Sequence, residues 1–316
     1  MSDPPYGIDF KGIRWDGATI RETAARRTGR RLTSGQAFAA WTQAWASEAR
    51  RVLKPGAHAV VFGAPRTFHR LACGLEDAGL DVRDVLCWMY GTGVPKSRRL
   101  PGGRSTTLKP AWEPILLTRR PTAGTVDANL DRYRTGELNI DAARIDGRYP
   151  PNVALGHSAN CTADTCTPDC AAALIDRAAA ATLSPASTAQ RTSRIFWSTK
   201  ATRAERDAGL DHLPARAFDL FPDAPRRPRT RAARNPHPTV KPLALMRWLV
   251  RLTVPDGGLV LDPFTGSGST GCAAVLEGRR FIGIEIDPAY ARVATARLRH
   301  WDRQAADPGP FDRCRR

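Results

Sequence analysis

The sequence predicts an α/β protein with a doubly wound, mostly parallel sheet, and two stretches of the chain support that prediction. Between residues 34 and 120, short apolar strands alternate with amphipathic helices, and the same alternation returns between 241 and 302. Strands separated by helices pair in parallel, because each crossover helix carries the chain back to the same end of the sheet. A chain of 316 residues is long enough for one such domain with an insertion.

The first stretch contains two predicted helices and three predicted strands. Ser34 is a suitable N-cap for a helix that Gly56 ends, and a second helix is predicted over 65–78. Residues 17–33 are polar and rich in arginine, so we expect a surface loop there. The strands are predicted at 58–63, 81–90 and 112–120.

The pattern weakens between 121 and 236, where Ala-rich, Pro-rich and Arg-rich pieces alternate, and it then returns. The later elements are a helix at 241–252, a strand at 258–264, a helix at 269–278, a strand at 280–287 and a helix that begins at Asp287 and Pro288. In the last helix Arg297 shares a face with apolar residues, so its side chain is expected to extend along that face to solvent.

The charge of the chain is strongly positive. Lys and Arg number 48 against 31 Asp and Glu, which gives a net charge of +17. A protein this basic is expected to bind a polyanion, although codon usage in a GC-rich genome is an alternative cause. The sequence contains no apolar run near the ~18 residues that span a bilayer and no recognisable leader, so we expect no membrane association and a cytoplasmic location.

A glycine-rich turn between a strand and a helix indicates a cofactor site. Gly266 and Gly268 allow the backbone to approach a ligand closely, and Glu285 ends the next strand, where an acid accepts hydrogen bonds from ribose hydroxyls. This combination favours an adenosine-bearing cofactor. A dinucleotide is an alternative, since GSGSTG at 266–271 also fits GxGxxG, and a purely structural turn is another.

The second motif lies at the start of the chain, where Asp3, Pro4, Pro5 and Tyr6 form the phrase DPPY. A carboxylate, a backbone carbonyl and an aromatic face within four residues can hold a flat heterocycle with an exocyclic amine. If the Asp3 carboxylate and the Pro4 carbonyl accept both N–H hydrogens, the amine moves toward tetrahedral geometry and its lone pair is freed for attack. The ring of Tyr6 offers an aromatic face on which the heterocycle could stack. The alternative is an ordinary turn that matches by chance.

These motifs, in this order, resemble the S-adenosylmethionine-dependent amino-methyltransferases of DNA. The resemblance is to the permuted, beta-type arrangement, in which the catalytic motif precedes the cofactor motif, and it implies a Rossmann-like methyltransferase sheet. In that family DPPY accompanies N6 of adenine and SPPY accompanies N4 of cytosine, so the resemblance favours transfer of a methyl group to adenine N6 in DNA. N4-cytosine methylation and a catalytically weak DNA-binding remnant are the alternatives.

The resemblance also implies roles for individual residues. In the family the DPF-x-GSG phrase holds the cofactor, the acid of the next strand holds its ribose, and the phrase NPHPTVKP (235–242) packs beside the methionine moiety. The implied catalytic residues are Asp3, Pro4, Pro5 and Tyr6. The implied cofactor-binding residues are Thr239, Lys241, Asp262, Pro263, Phe264, Gly266, Gly268 and Glu285. For Lys241 the alternative is the exposed first turn of a helix.

The same resemblance implies a domain organisation and a partner. The expected parts are a catalytic half at 1–120, an insertion for target recognition at 121–236, a cofactor-binding half at 237–302 and a basic tail at 303–316. Residues 191–234 hold eleven Arg and Lys against five acids, which favours base reading and phosphate contact in double-stranded DNA. A disordered basic linker over 222–234 is the alternative. Lys96, Arg98, Arg99 and Arg104 are expected either to line the DNA cleft or to form a solvated loop, and a homodimer is left open.

The start of the chain departs from the family pattern. In relatives a hydrophobic strand at the centre of the sheet precedes DPPY, whereas only Met1 and Ser2 precede it here. We therefore expect this central strand to be missing beside 258–264, and the natural start to lie upstream. A continuous sheet built there from other residues would contradict this hypothesis.

A separate cluster of metal-binding residue types lies in the insertion. His157, Cys161, Cys166 and Cys170 are separated by three, four and three residues. Four such ligands can surround a structural zinc ion tetrahedrally, and reduced thiols in a surface loop are the alternative.

Overall fold

The computed structural model describes residues 1–90, 100–145, 147, 149–156, 161, 165–168, 170, 173–174, 200–219 and 230–306. The chain divides into two compact units. We call Asp3–Thr199 the N-terminal unit, and Met1–Ser2 together with Lys200–Arg316 the C-terminal unit. Both units combine strands with helices, as the predicted α/β class requires.

The N-terminal unit contains a four-stranded sheet in the order β1-β3-β2-β4. Its strands are β1 His58–Phe62, β2 Asp81–Met89, β3 Trp112–Arg119 and β4 Val153–Leu155. β3 runs antiparallel to both of its neighbours, and only β4 pairs with β2 in parallel. The prediction of mostly parallel strands therefore does not describe this sheet. In the described part of the β2–β3 connection, residues 100–111, there is a 3-10 turn and no α-helix, so β3 returns beside β2 in the opposite direction.

Four α-helices lie in the described part of this unit, and two of them, the first and the fourth, were not predicted. The helices are α1 Ala18–Thr28, α2 Ser34–Val52, α3 Phe68–Asp77 and α4 Val126–Tyr133. The expected loop at 17–33 is wrong, because most of it forms α1. Ile20 and Ala24 are the buried side chains of α1, and Ile20 joins a core formed with α2, α3, β1 and β3. Two apolar positions four residues apart are a weak signal beside so many arginines.

The N-cap of α2 is Thr33 rather than Ser34. Its hydroxyl accepts a hydrogen bond from Gln36 N, while Gln36 Oε1 accepts one from Thr33 N at 3.0 Å, which together make a capping box. α2 ends at Val52, four residues before the Gly56 that was expected to end it.

The C-terminal unit is built around a parallel β-α-β unit. β7 Leu259–Asp262 pairs in parallel with β8 Arg280–Gly283, and α7 Ser269–Leu276 connects them. The other elements of this unit are α5 Arg203–Asp207, the antiparallel pair β5 Arg216–Asp219 and β6 Thr230–Ala233, α6 Leu243–Thr253, and α8 Pro288–Ala306. Glu277 at the end of α7 forms ion pairs with Arg247 and Arg251 of α6 at 2.5 and 3.0 Å, which hold these two helices together.

The first two residues of the chain lie along one edge of β7. Gly258 O and Asp262 O accept hydrogen bonds on the side of β8, from Arg280 N and Ile284 N. Because successive carbonyls of a strand point to opposite edges, Leu261 O faces the other edge, and it accepts a 2.9 Å hydrogen bond from the Met1 amino group. This is the edge at which the sequence predicts a missing strand. The hypothesis about the natural start of the chain stays a prediction.

Within the described ranges, no helix has both the length and the apolar character needed to cross a membrane.

Candidate functional site

The DPPY residues form an irregular loop in which the side chains of Asp3 and Tyr6 are in contact. Tyr6 Oη donates a hydrogen bond to Asp3 Oδ1 at 2.7 Å and lies 3.2 Å from Glu113 Oε2. Burial, together with the charges of Asp3 and Glu113, raises the pKa of Tyr6 well above its usual value. Tyr6 is therefore a protonated hydrogen-bond donor at neutral pH. Glu113 was not selected by the sequence analysis.

A buried carboxylate holds the main chain of this loop. Asp16 is 1% exposed. Its Oδ1 accepts hydrogen bonds from the amides of Tyr6 and Gly7 at 2.6 and 2.9 Å, and its Oδ2 accepts from those of Ile8 and Phe10 at 3.2 and 2.8 Å. Four main-chain donors on one carboxylate impose a fixed curvature on the chain that leaves DPPY. Sequence reasoning missed this residue, since nothing local distinguishes it from a surface acid.

The turn between β1 and α3 supports the same loop from its other side. Thr67 Oγ1 donates to Tyr6 O at 2.7 Å, and an Arg66 guanidinium nitrogen donates to Ile8 O at 3.1 Å. The DPPY loop is thus bonded to the first crossover of the sheet, which limits its movement.

In the C-terminal unit, the predicted cofactor residues meet at the end of β7. Asp262 is 2% exposed, and its Oδ1 accepts hydrogen bonds from Ser2 Oγ at 2.7 Å and Phe264 N at 3.0 Å. Thr265 N donates to Ile284 O at 3.0 Å, which ties the turn to the end of β8. Asp262 therefore shapes the turn through its own hydrogen bonds.

Glu285 closes this turn. Its Oε2 accepts a 2.7 Å hydrogen bond from Gly266 N, and its Oε1 accepts a 2.9 Å hydrogen bond from Asp287 N. Each carboxylate oxygen has two lone pairs, so both retain capacity to accept a further hydrogen bond. Beside it, the side chain of Ile286 is 96% exposed. The structure thus brings the predicted acid and Gly266 into direct contact.

His237 packs against the glycine turn. A Cβ on Gly266 would lie 2.6 Å from His237 Nε2. His237 Nδ1 accepts a hydrogen bond from Thr239 N at 3.3 Å, which places the proton of the neutral imidazole on Nε2. Burial, followed by the charges of Arg206, Lys241 and Arg297, lowers the pKa of His237 to about 3. This histidine is therefore neutral at physiological pH. Sequence reasoning quoted it within NPHPTVKP and gave it no role.

Lys241 is 4% exposed and precedes α6, so the alternative of an exposed first helical turn is wrong. Thr239 is half-buried beside it in the same segment, and its amide is bonded to His237. Both predicted residues therefore belong to the segment that packs on the glycine turn.

The expectation that Arg297 extends to solvent is wrong. Its side chain is fully buried, and one guanidinium nitrogen donates to Ser267 O at 2.7 Å. The other terminal nitrogen donates to Glu205 O at 3.4 Å. Arg297 was on the apolar face because it crosses the interior to bind the main chain of the glycine turn. The available signal was an arginine among apolar neighbours at helical spacing.

Three of the four predicted metal ligands lie together. The Sγ atoms of Cys161, Cys166 and Cys170 are all within 4.8 Å of one another. Cys161 and Cys170 are buried, and Cys166 is partly exposed. The fourth predicted ligand, His157, lies outside the described residues.

Most of the predicted DNA-contacting residues cannot be placed. Lys96, Arg98 and Arg99 lie outside the described residues, as does much of 191–234. Arg104 is exposed, and its Nε donates to Pro101 O at 3.2 Å.

Comparison with known proteins identifies the family. The family described as DNA methylase (N6_N4_Mtase) matches residues 1–296. The Type II methyltransferase M.HindIII of Haemophilus influenzae is 24% identical over 338 residues, covering 94% of this chain and 87% of that protein. The DNA adenine methyltransferase YhdJ of Escherichia coli is 47% identical over 62 residues, 20% of this chain and 21% of that protein.

A solved structure supports the fold. The PvuII DNA methyltransferase, described as cytosine-N4-specific, matches with a TM-score of 0.54 at 14% identity, covering 96% of this chain and 84% of that one. At this identity the likeness concerns the fold alone, and it confirms the predicted α/β, Rossmann-like class. With the family match across residues 1–296, the chain belongs to the DNA methylase family.

Proposed function

We propose that this protein transfers a methyl group from S-adenosylmethionine to the N6 amine of adenine in double-stranded DNA. In this proposal DPPY is the catalytic loop, the turn from Asp262 to Gly268 with Glu285 holds the cofactor, and the motifs follow the permuted, beta-type order. The observation that carries the proposal is the Asp3 carboxylate, held by the Tyr6 hydroxyl at 2.7 Å within the motif that binds exocyclic amines in the family.

The cofactor residues suit an adenosyl group. Gly266 and Gly268 have φ values of 54° and 82°, a left-handed conformation that residues with a Cβ rarely adopt. Glu285 has remaining acceptor capacity for ribose hydroxyls, and the exposed Ile286 beside it offers an apolar contact for a flat ring. When bound, S-adenosylmethionine supplies a methyl group on a sulfonium. Thr239, Lys241, Pro263 and Phe264 are the other residues assigned to its binding.

The chemistry of the amine assigns the remaining roles. Its lone pair is delocalised into the base, which makes the nitrogen a poor nucleophile. The Asp3 carboxylate and the Pro4 carbonyl accept the two N–H hydrogens and localise the lone pair on nitrogen, while Pro5 keeps the turn rigid and the Tyr6 ring stacks on the flipped base. The new N–C bond forms as the methyl–sulfur bond breaks, which leaves a neutral thioether, and one amine proton leaves toward Asp3. Positioning and electrostatics supply the acceleration, and no cysteine nucleophile is needed.

Adenine is the favoured target because the motif begins with Asp rather than Ser. The matching segment of a protein described as a DNA adenine methyltransferase supports this choice. N4 of cytosine is the alternative, since its exocyclic amine poses the same chemical problem.

The decisive experiment uses tritiated cofactor. Purified protein is incubated with double-stranded DNA and labelled S-adenosylmethionine, and the DNA is digested to nucleosides. We expect the label in N6-methyl-2′-deoxyadenosine. The amount of label should fall by about 100-fold or more in Asp3→Ala, because Asp3 accepts charge-assisted bonds made only during transfer. The control Asp131→Asn changes an exposed acid of α4 and should retain full activity. Label in N4-methyl-2′-deoxycytidine would show N4-cytosine methylation instead. DNA binding without any label would show a catalytically weak DNA-binding remnant.

The net charge of +17 supports DNA as the partner. We assign the insertion at 121–236 to target recognition, the halves at 1–120 and 237–302 to catalysis and cofactor binding, and the tail at 303–316 to non-specific phosphate contact. Site-specific methylation of this kind serves restriction–modification in the cytoplasm, and a homodimer is testable by sedimentation.

We also propose that Cys161, Cys166 and Cys170 bind a structural zinc ion, with His157 as the fourth ligand. Zn–S bonds of about 2.3 Å in a tetrahedron separate the sulfurs by roughly 3.8 Å, so three Sγ atoms within 4.8 Å need only a small contraction. Thr167 N donates to Cys161 Sγ at 3.4 Å, and a hydrogen bond of this kind orients a thiolate that binds a metal. These thiols pack with Leu155 at the end of β4.

Metal analysis of the purified protein tests this proposal. One zinc per chain is expected in the wild type and in Cys73→Ser, which changes an exposed cysteine of α3. Cys166→Ser is expected to lose the metal and to lower the melting temperature. A wild-type protein without zinc, and with a melting temperature that added zinc leaves unchanged, would show that the cluster consists of reduced thiols.

A further inference from the structure

Four side chains of the N-terminal unit form a continuous hydrogen-bonded row that ends at Asp3. Tyr90 Oη lies 3.1 Å from Glu113 Oε1, Glu113 Oε2 lies 3.2 Å from Tyr6 Oη, and Tyr6 Oη lies 2.7 Å from Asp3 Oδ1. Glu113 therefore joins a phenol of the sheet to a phenol of the catalytic motif.

The outer half of this row is anchored in the sheet. Glu113 lies on β3 in register with Trp88 of β2, and Tyr90 directly follows β2. Tyr90 is 6% exposed, its amide donates to Ala111 O at 2.7 Å, and its ring packs 5.0 Å from that of Trp88. Asp3 and Tyr6, in contrast, lie in neither helix nor strand. Glu113 and Tyr90, which are anchored in the sheet, can therefore hold the loop residues Asp3 and Tyr6 in place.

Both oxygens of Glu113 meet a phenol hydroxyl. Burial, with the charge of Glu113, raises the pKa of Tyr90, and burial raises that of Tyr6, so both phenols keep their protons at neutral pH. Tyr90 Oη donates to Glu113 Oε1, and the Tyr6 hydroxyl lies within donating distance of both Asp3 Oδ1 and Glu113 Oε2, with the shorter contact to Asp3. A side chain at position 113 with a polar atom on each branch can therefore bond both hydroxyls at once.

We propose that Glu113 is a positioning residue for methyl transfer, which fixes the Tyr6 hydroxyl and, through it, orients the Asp3 carboxylate for the target amine. Its role depends on hydrogen-bonding the hydroxyls of both Tyr90 and Tyr6, and a permanent negative charge at this position is not required. The inference rests on the proposed methyl transfer, because that reaction needs the Asp3 oxygens in one fixed direction. A displacement of about 1 Å in such a group costs on the order of 100-fold in rate.

Replacements of Glu113 separate this role from a structural one. Glu113→Gln keeps the shape, with an amide oxygen for Tyr90 and an amide N–H for Tyr6, whereas Glu113→Ala removes both bonds. We expect Glu113→Gln to stay within about 3-fold of the wild-type kcat and Glu113→Ala to fall by at least about 10-fold, with KM for the cofactor unchanged, because only orientation at the reacting amine is lost. Tyr90→Phe should also lower kcat, by a smaller factor than Glu113→Ala. Glu76→Gln and Glu76→Ala, at an exposed position of α3, are the matched controls.

Two kinetic results would overturn the proposal. One is an unchanged kcat in Glu113→Ala. The other is an equal loss in Glu113→Gln and Glu113→Ala, which would show that the charge itself is needed.

A measurement without catalysis keeps this test separate from that of the proposed function. In thermal unfolding, Glu113→Ala and Tyr6→Phe should give non-additive shifts when combined, because each removes one side of the same contact. Additive shifts would show that the two residues are not coupled and would sink the inference. If the wild type labels no DNA at all, the proposed function fails, and this cycle still decides whether Glu113 controls Tyr6.

Discussion

Ser2 Oγ donates a 2.7 Å hydrogen bond to the buried Oδ1 of Asp262, the acid that ends β7 and begins the glycine turn. The Met1 amino group binds the carbonyl of the preceding residue, Leu261, so two consecutive residues are fixed to the strand. The next residue in the chain is Asp3. The residue before the DPPY phrase is thus anchored to the strand that leads into the glycine turn.

Replacement of Ser2 by Ala tests that anchor. We expect a loss of about 1–2 kcal/mol in the free energy of unfolding, because a hydrogen bond to a buried carboxylate is removed while Phe264 N still partners the same oxygen. Denaturant unfolding measures this loss. Ser47→Ala, on the exposed face of α2, is the control and should leave the free energy of unfolding unchanged.

Replacement of Asp16 by Asn tests the carboxylate that holds the DPPY loop. An amide offers one acceptor oxygen, and its NH₂ group would face two of the four main-chain donors now bound. We expect a destabilisation of about 2–4 kcal/mol, since two buried main-chain N–H groups would lose their acceptor and face the N–H donors of the new amide. Thermal and denaturant unfolding measure this loss. Asp81→Asn, at an exposed position that begins β2, should have little effect, and an equal loss in both variants would contradict the role of Asp16.

The fold was predictable where the chain signals its structure locally. The strands at 58–62, 81–89 and 112–119 were expected within a few residues, because short runs of apolar and β-branched residues identify a buried strand. The antiparallel direction of β3 was not predictable, because strand direction depends on which partner it pairs with. Helix α1 was missed because few of its eleven residues are buried.

The site residues also fall into those that local sequence signals identify and those that they do not. The glycine turn and Glu285 could be recognised because glycine spacing and strand ends determine them locally. Asp16, Glu113 and the buried Arg297 could not, since their roles depend on amides, hydroxyls and carbonyls contributed by distant segments. A carboxylate that binds four main-chain amides has the same sequence signature as one that binds water.

Gly266, in the glycine turn, can be compared with Gly278, which follows α7 and has a similar conformation. Gly266 and Gly278 have φ values of 54° and 65°, so alanine at either position costs about 1 kcal/mol in backbone strain. Only at Gly266 does the new Cβ meet another group, His237 Nε2 at 2.6 Å, whereas at Gly278 no atom lies within 4 Å. We expect Gly266→Ala to weaken cofactor binding by at least about 10-fold, because the turn must shift by several tenths of an ångström or more.

Calorimetric titration with S-adenosylmethionine measures this difference. Gly278→Ala should bind the cofactor like the wild type after a small loss of stability. If both alanine variants bind equally well, the turn at Gly266 does not contribute to the cofactor site.

Two half-buried histidines, His58 and His237, predict how stability depends on pH. The pKa of His237 is lowered to about 3 and that of His58 to about 4, mainly by burial, against about 6.5 in the unfolded chain. Below pH 6.5 the unfolded state therefore binds protons that the folded state does not, and stability falls as the pH is lowered toward these values. Above pH 6.5 neither histidine contributes to the pH dependence. For His237 alone the loss between pH 6.5 and 5 amounts to about 2 kcal/mol.

Replacement of His237 by Asn isolates its share of this slope. Asn has an oxygen that can accept from Thr239 N and carries no titrating group, so the pH dependence between 6.5 and 5 should become shallower by close to one proton while that of His58 remains. Unfolding free energies measured at half-unit pH steps give the slope directly. His69→Asn, at an exposed position of α3, is the control. An unchanged slope in His237→Asn would mean that His237 takes up its proton in the folded protein as readily as in the unfolded chain, against its tight packing on the glycine turn.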